Sequence, residues 1–194
     1  MLAHEKKGWI IMNKKIRWIA ETAIMLALLV TLQAWTKGFG QLVTGSCVNA
    51  VLAVSVLIGG LASGVTIAIV SPMLAFMLGI VPQILTVPAI MVGNTVYVLL
   101  LYAVAGRDSK RILRQIVAWL VAAAAKFAVL YAIVAGLICG VLSESLLAAG
   151  ALKPPMLQAL PAAFGWSQLI TALTGGAVAL VTVPVLRKAL GKQH

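Results

Sequence analysis

The sequence predicts an all-α, polytopic membrane protein with six transmembrane helices and both termini in the cytoplasm. The first observation is composition: mean hydropathy is +1.09 and only 10% of the 194 residues are charged, against about 25% in soluble domains. The second is that apolar stretches near 20 residues recur along the chain, a length that crosses a bilayer core of about 30 Å. The third is that basic residues cluster outside these stretches.

Six apolar stretches define the predicted spans. They lie at residues 17–36, 41–59, 61–80, 84–105, 112–139 and 164–186. At 1.5 Å per residue each is long enough to cross the bilayer, the longer ones with some tilt. We expect one membrane domain over residues 17–188, preceded by a cytoplasmic segment, 1–16, and followed by a cytoplasmic tail, 189–194. The proline-rich segment 140–163 is expected to form an outer loop with room for one short surface helix.

The distribution of positive charge predicts the orientation. Twelve basic residues lie in three groups at the ends of the stretches. Five lie before or at the start of the first stretch (Lys6, Lys7, Lys14, Lys15 and Arg17), four lie between the fourth stretch and the first residues of the fifth (Arg107, Lys110, Arg111 and Arg114), and three follow the last (Arg187, Lys188 and Lys192). With the N-terminus inside, all twelve are cytoplasmic, whereas Lys37 and Lys153 are outside, as the positive-inside rule requires. The net charge of +11 therefore reflects membrane topology, and nucleic-acid binding is not expected.

The sequence lacks the side-chain combinations of an enzyme or a metal centre. Both histidines are terminal, and three of the four acids lie outside the spans: Glu5, Asp108 and Glu144. Glu21 lies four residues after Arg17, a spacing that favours a surface ion pair over a proton relay. Cys47 and Cys139 fall within apolar stretches, where free cysteine packs as a small apolar residue. We therefore expect no catalytic residues, no metal and no cofactor.

Lys126 lies in the middle of the fifth stretch, within VAAAAKFAVLY at 121–131. A lysine at the centre of a membrane helix costs about 2.5–3.5 kcal/mol on insertion scales, and its side chain is too far from either interface to reach water fully. Further polar residues at membrane depth are Asn49, Asn94, Gln168 and Thr171. We expect those on neighbouring spans to converge with Lys126 on a substrate, although a single asparagine in a span more often makes an interhelical hydrogen bond than a ligand contact.

Two sets of residues carry further expectations. Tyr131 and Trp166 belong to an aromatic group near the outer end, which suits either the interfacial belt or stacking on a flat ligand. Small residues at intervals of three or four mark the first and third stretches: Ala20, Ala23, Ala27, Thr31 and Ala34, then Gly60, Gly64, Ala68, Ser71, Ala75 and Gly79. Such stripes are where membrane helices pack closely. We expect the first to dock a partner protein, and the third to serve either docking or internal packing.

The chain from about Met12 to Lys188 resembles the S component of an energy-coupling factor (ECF) transporter. The shared features are six spans in a short chain, both termini inside, an Ala-x-x-x-Ala in the first helix (Ala23 and Ala27), and a long outer loop before the last helix. Four short stretches are also similar to ones in uncharacterised members of that family: GSCVNA (45–50), SPMLAF (71–76), VGN (92–94) and AKF (125–127).

The resemblance implies a subunit of a bacterial cytoplasmic membrane that captures a vitamin or related micronutrient from outside. Its partners would be a transmembrane coupling subunit and two cytoplasmic ATPase subunits. The resemblance further implies docking through Ala23 and Ala27, and a pocket in the region of Asn94, Lys126 and Gln168. Two alternatives are a self-sufficient small carrier or channel, which often shows inverted repeats, and a membrane anchor or assembly protein, which has no use for Lys126.

Overall fold

The structure is a computed structural model that describes residues 14–81, 83–106 and 112–190. Within these ranges the chain forms helices and short connections, and no strand. The long helices are α1 (Lys14–Thr36), α2 (Gln41–Val54), α3 (Leu61–Met77), α4 (Thr86–Ala105), α5 (Ile112–Tyr131) and α8 (Trp166–Ala189). Two short helices, α6 (Ser143–Ala148) and α7 (Met156–Ala163), precede α8. The prediction of an all-α fold is confirmed.

Two of these helices continue beyond their α-helical part. A π-helical turn, Ser55–Gly59, extends α2, and a longer one, Ala132–Val141, extends α5. The six predicted stretches coincide with the long helices, including these extensions, to within three residues at each end. In the part of the chain that the structure describes, five helical segments are long and apolar enough to cross a membrane: Lys15–Phe39, Gln41–Gly59, Thr86–Ala105, Ile112–Val141 and Met156–Ala189.

The helix α3 is shorter than its predicted stretch, 61–80. It has 17 residues, about 26 Å at 1.5 Å per residue. The chain turns at Gly79, whose φ of +64° lies in the left-handed region that glycine adopts without strain. The amides of Ile80 and Val81 donate back to the Ala75 carbonyl oxygen, at 2.8 and 3.2 Å, and so satisfy the end of the helix.

The predicted outer loop, 140–163, contains two short helices where the sequence indicated room for one. The π-helical extension of α5 runs to Val141, α6 follows after Leu142, and α7 leads into α8. Pro155 immediately precedes α7, with a φ of −62° that suits the start of a helix. The side chains of Leu152, Leu160 and Phe164 are buried against the π-helical part of α5, at Val134 and its neighbours. This packing holds α6 and α7 across one end of the molecule.

The six long helices form a closed ring. In order around the ring, each packing on the next, they are α1, α2, α8, α5, α4 and α3, and α3 packs on α1. The interior is filled by apolar side chains, including Leu29, Leu52, Ile67 and Val98. Along the chain the long helices alternate in direction, so both chain ends lie at one end of the ring, here called the terminal end. The turn at 37–40, the segment 78–85, and α6 with α7 lie at the other, the loop end.

Glycines bring α2 and α8 into close contact. A methyl group at Gly175 would lie 2.5 Å from the Ser46 carbonyl oxygen and 2.7 Å from the Ala50 nitrogen, both backbone atoms of α2. Gly45 in turn faces the side chain of Thr171. Small residues permit this approach, which maximises van der Waals contact between helices. The result is that the polar residues on the facing sides of α2 and α8 meet.

Candidate functional site

Lys126 lies in the middle of a continuous helical segment, Ile112–Val141, about 20 Å from either end at 1.5 Å per residue. Its side chain is buried, with 2% exposure. The ammonium group donates to Oδ1 of Asn49 on α2, at 2.5 Å, and to Oδ1 of Asn94 on α4, at 2.7 Å. It also lies 5.5 Å from the centre of the Tyr97 ring, within the range of a cation–π interaction. An ammonium has three N–H donors, so the two amides leave one.

Asn49 is held by a small network at the contact of α2 and α8. Its Nδ2 donates to the Gly45 carbonyl oxygen at 2.9 Å and to Oγ1 of Thr171 at 3.3 Å. The Thr171 hydroxyl donates to the Gln168 carbonyl oxygen at 3.0 Å. Since the Asn49 carbonyl oxygen faces Lys126 and its amide nitrogen faces α8, the orientation of the amide is fixed. The predicted site residues Asn49, Lys126 and Thr171 therefore belong to one connected set.

A cavity of about 210 Å³ opens beside Lys126. All six long helices contribute to its wall, and it extends toward the loop end, where α7 together with Ile80, Val81 and Gln83 completes the wall. The lining residues are Gln33, Gln41, Thr44, Gly45, Val48, Asn49, Ser71, Pro72, Ala75, Ile80, Val81, Gln83, Thr86, Ile90, Asn94, Lys126, Leu160, Ala163, Phe164 and Gln168. An engineered cavity of about 150 Å³ binds benzene, so this one has room for a substituted single ring.

Three buried polar atoms in the cavity wall have no hydrogen-bond partner among the described residues. They are Oε1 of Gln33 on α1, Oγ of Ser71 on α3 and Nδ2 of Asn94 on α4. All three side chains are at least nine-tenths buried. Leaving a buried donor or acceptor unpaired costs about 1–3 kcal/mol, and such groups in native proteins usually meet water or a ligand. The cavity supplies the space in which these atoms can be satisfied.

The charge of Lys126 is not neutralised by a carboxylate in the described part of the chain. The two acidic residues there are Glu21 and Glu144, and neither lines the cavity. Glu21 pairs with Arg17 at 2.9 Å near the start of α1, which confirms the predicted ion pair. Glu144 lies on the exposed surface of α6. In the described residues the hydrogen-bond partners of Lys126 are therefore neutral amides.

The predicted substrate-binding residues fall into two groups. Asn49, Asn94, Lys126 and Gln168 line the cavity, and Thr171 bonds to Asn49 behind it. Tyr131 and Trp166 instead line a separate, more open pocket at the surface, with Phe127 stacked on Trp166 at 5.5 Å between ring centres. Both are exposed, Trp166 to 72%. They lie outside the Lys126 cavity.

Sequence reasoning did not single out Gln33. It lies in the middle of the apolar stretch VTLQAW of α1, where its amide is an isolated polar group among apolar side chains. Lys126 stands out in the sequence for the same reason, as a single polar residue within an apolar stretch. Thr44 and Thr86 also line the cavity, but their hydroxyls bond to the carbonyl oxygens of Thr36 and Gln83.

The two stripes of small residues differ in their surroundings. On α1, Ala23, Ala27, Thr31 and Ala34 are exposed, while Ala20 is partly covered. On α3, Gly64 and Ala68 are buried inside this chain, and Gly60 is buried in the turn before α3. A methyl group at Gly64 would lie within 3 Å of the side chains of Val56 and Val98. The α3 stripe therefore packs internally, and only the α1 stripe remains open to a partner.

The described residues form an all-helical protein whose apolar helices are compatible with a multi-pass membrane protein, and a polar cavity lies inside the ring of these helices. Comparisons of the chain with protein-family models, with curated proteins and with solved structures found no match.

Proposed function

We propose that this chain is the substrate-binding membrane subunit of an ECF-type transporter, and that all six long helices cross the bacterial cytoplasmic membrane with both termini inside. In this proposal the cavity beside Lys126 holds a vitamin-like micronutrient captured from outside. The observation that carries the proposal is a buried, unneutralised lysine facing a cavity whose wall also contains three unpaired polar atoms. A buried charge and unpaired polar groups are costly in an apolar bundle, and a ligand that they bind accounts for them.

The position of the cavity and the surface of α1 support the same proposal. The cavity extends toward the loop end, which is the outer side when both termini are cytoplasmic. The exposed stripe on α1, Ala23 and Ala27 above all, offers a flat face on which a helix of a coupling subunit can pack. Energy for uptake then comes from two ATPase subunits, since the sequence carries no phosphate-binding loop. The protein itself is a binding subunit and not an enzyme.

A self-sufficient carrier is the second candidate function. A carrier would use the same cavity but needs no partner protein. The two candidate functions therefore differ in whether uptake of the substrate depends on ATPase subunits. A membrane anchor without a ligand is favoured by no feature of the cavity.

The test is to express the chain alone and together with a coupling subunit and two ATPase subunits from the same genome. Small molecules released from the purified protein by denaturation are identified by mass spectrometry, and uptake of the identified compound is then measured in both strains. We expect a stable four-subunit complex and uptake only with the ATPases. Uptake by the chain alone would establish the carrier, and absence of any complex would overturn the ECF proposal.

Lys126→Met tests the role of the cavity within the same experiment. The substitution keeps most of the stem and removes the charge, so we expect a folded protein that binds the identified compound about 10- to 150-fold more weakly, from loss of a charge-assisted hydrogen bond worth about 1.5–3 kcal/mol. Lys153→Met, on the exposed loop before α7, is the matched control and should bind like the parent. Affinity of Lys126→Met within about twofold of the parent would remove Lys126 from the binding site.

A further inference from the structure

The polar groups that face the cavity lie on two opposite walls. Lys126 belongs to α5, which packs on α4 and α8, whereas Gln33 belongs to α1, which packs on α2 and α3. The two residues therefore approach the cavity from opposite sides of the helix ring. Asn94 lies beside Lys126, to which it is hydrogen-bonded, and Ser71 lies on α3, next to α1. A ligand in the cavity thus meets polar groups at both of its ends.

The wall formed by Lys126 and Asn94 presents donors. The Asn94 carbonyl oxygen accepts from Lys126, so the orientation of this amide leaves Nδ2 as an unpaired donor. Lys126 has a third N–H, since two are used by the asparagines. The two oxygens of a carboxylate can accept one hydrogen bond from each of these neighbouring donors. A carboxylate also binds a charged donor more strongly than a neutral ligand group does.

The wall formed by Gln33 and Ser71 presents a hydrogen-bond acceptor. Oε1 of Gln33 is buried without a donor, and so is the Ser71 hydroxyl. Several helical hydroxyls of this protein bond to the carbonyl oxygen one turn back, as Ser46 does to Leu42 and Thr95 to Met91. Ser71 makes no such bond, and its hydroxyl remains available to the cavity. An N–H or O–H group on the ligand would satisfy Gln33.

We propose that the cavity takes a small single-ring carboxylic acid with a second, hydrogen-bond-donating group. Lys126 and Asn94 bind the carboxylate, and Gln33 accepts from the second group, with the Ser71 hydroxyl of α3 also available in the cavity wall. The size follows from the volume of about 210 Å³, since benzene fills a cavity of about 150 Å³. This proposal rests on the proposed function, because it takes the cavity to be the substrate site. It assigns Gln33 and Ser71 as residues that determine specificity.

Water in the cavity without ligand does not remove the preference for a carboxylic acid that carries a second, hydrogen-bond-donating group. Ordered water can satisfy the same atoms before the ligand arrives. A ligand that displaces this water without reproducing its hydrogen bonds loses affinity. A ring with a carboxylate alone would therefore leave Gln33 unpaired, and the second group would restore the lost bond.

The experiment uses four single-ring probes on the purified full-length protein: benzoate, phenol, and 3- and 4-hydroxybenzoate. Binding is measured by calorimetric titration up to roughly 10 mM, ten times the Kd that corresponds to about −4.1 kcal/mol. We expect at least one hydroxybenzoate isomer to bind roughly 3- to 10-fold more tightly than benzoate, the fold-change expected for one neutral hydrogen bond. The same isomer should also bind more tightly than phenol.

Gln33→Met should bring the ratio of hydroxybenzoate to benzoate affinity close to one, because methionine offers no acceptor for the second group of the ligand. Because the substitution removes an unpaired buried polar atom, the variant should fold at least as stably as the parent, which thermal unfolding checks. Gln158→Met, an exposed glutamine on α7, is the matched control and should keep the parent's ratio. Lys126→Met should remove the advantage of the hydroxybenzoate over phenol.

Three outcomes would overturn the proposal: no binding by any probe, no preference for either hydroxybenzoate in the parent, or a preference that Gln33→Met leaves intact. None of these affects the ECF proposal, which depends on complex formation and ATPase-dependent uptake. Failure of the ligand class and failure of the proposed function are therefore separate results.

Discussion

The ammonium group of Lys126 on α5 donates to the amide oxygen of Asn94 on α4 at 2.7 Å. Asn49 accepts a second bond from the opposite side, so one buried charge is shared between two neutral acceptors. A carboxylate at either position would neutralise the charge and stabilise the bundle. Two amides solvate the charge without cancelling it, and this leaves the cavity attractive to an anion.

Asn94→Asp should therefore stabilise the protein and weaken the binding of an anionic ligand. The new carboxylate pairs with Lys126 and compensates a buried group that otherwise lacks a counter-charge in the described residues, and Nδ2 is lost as a donor. We expect a higher unfolding temperature in detergent and an affinity for a carboxylate ligand at least tenfold lower. Asn94→Leu, which lacks any acceptor, should instead lower the unfolding temperature. An Asn94→Asp variant that binds a carboxylate as the parent does would show that the Lys126 charge does not act on the ligand.

The contact of α2 with α8 depends on Gly175. Its neighbours are backbone atoms of Ser46 and Ala50, which cannot rotate away from an added methyl group. Gly175→Ala should force the helices apart and destabilise the protein by about 1–3 kcal/mol, as overpacking does. It should also weaken ligand binding, because Asn49 lies on this contact. Unfolding in detergent measures the first effect.

Gly136 provides the matched control for this substitution. It lies in the π-helical extension of α5 with no atom within 4 Å of an added methyl group. Gly136→Ala should leave stability unchanged or slightly raised, since alanine favours helix more than glycine does. Equal effects of the two substitutions would contradict the close helix contact as the cause.

Hydropathy was sufficient to predict the positions of the helices because long apolar stretches leave little choice of secondary structure. The end of α3 was placed three residues too late, since the turn depends on the conformation of Gly79 and not on hydropathy. The convergence of Lys126 with Asn49, Asn94 and Gln168 followed from depth along each span. Depth does not indicate which face of a helix turns inward. For this reason Gln33, which lines the cavity, was not selected from the sequence, whereas Tyr131 and Trp166, which lie outside the cavity, were selected.

The same limit applies to the small residues. Spacing alone makes the stripes of α1 and α3 look alike. Both helices pack on two neighbours in the ring, and what separates the stripes is the face that carries them, since Gly64 and Ala68 are buried whereas Ala23 and Ala27 are exposed. The stripe on α1 faces outward and remains available.

Cysteine labelling in intact cells tests the proposed orientation. In a background with Cys47 and Cys139 replaced by alanine, Lys37→Cys and Lys153→Cys should react with an impermeant thiol reagent from outside. Both residues are exposed at the loop end. Ser109→Cys, which lies outside the described residues, should react only after lysis, as the positive-inside rule predicts. Labelling of Ser109→Cys in intact cells would reverse the orientation.

The exposed stripe on α1 gives the sharpest test of partner docking. Ala23→Leu with Ala27→Leu should prevent co-purification with the coupling subunit and abolish uptake, because two leucines hold a partner helix away from the close contact that small residues allow. The fold and the ligand affinity of the isolated protein should not change, since both alanines are exposed and neither lines the cavity. Ala124→Leu with Ala128→Leu is the matched control, an exposed pair with the same spacing on α5, and should assemble and transport normally. If the α1 variant assembles as well as the α5 variant, the coupling subunit does not dock on this stripe.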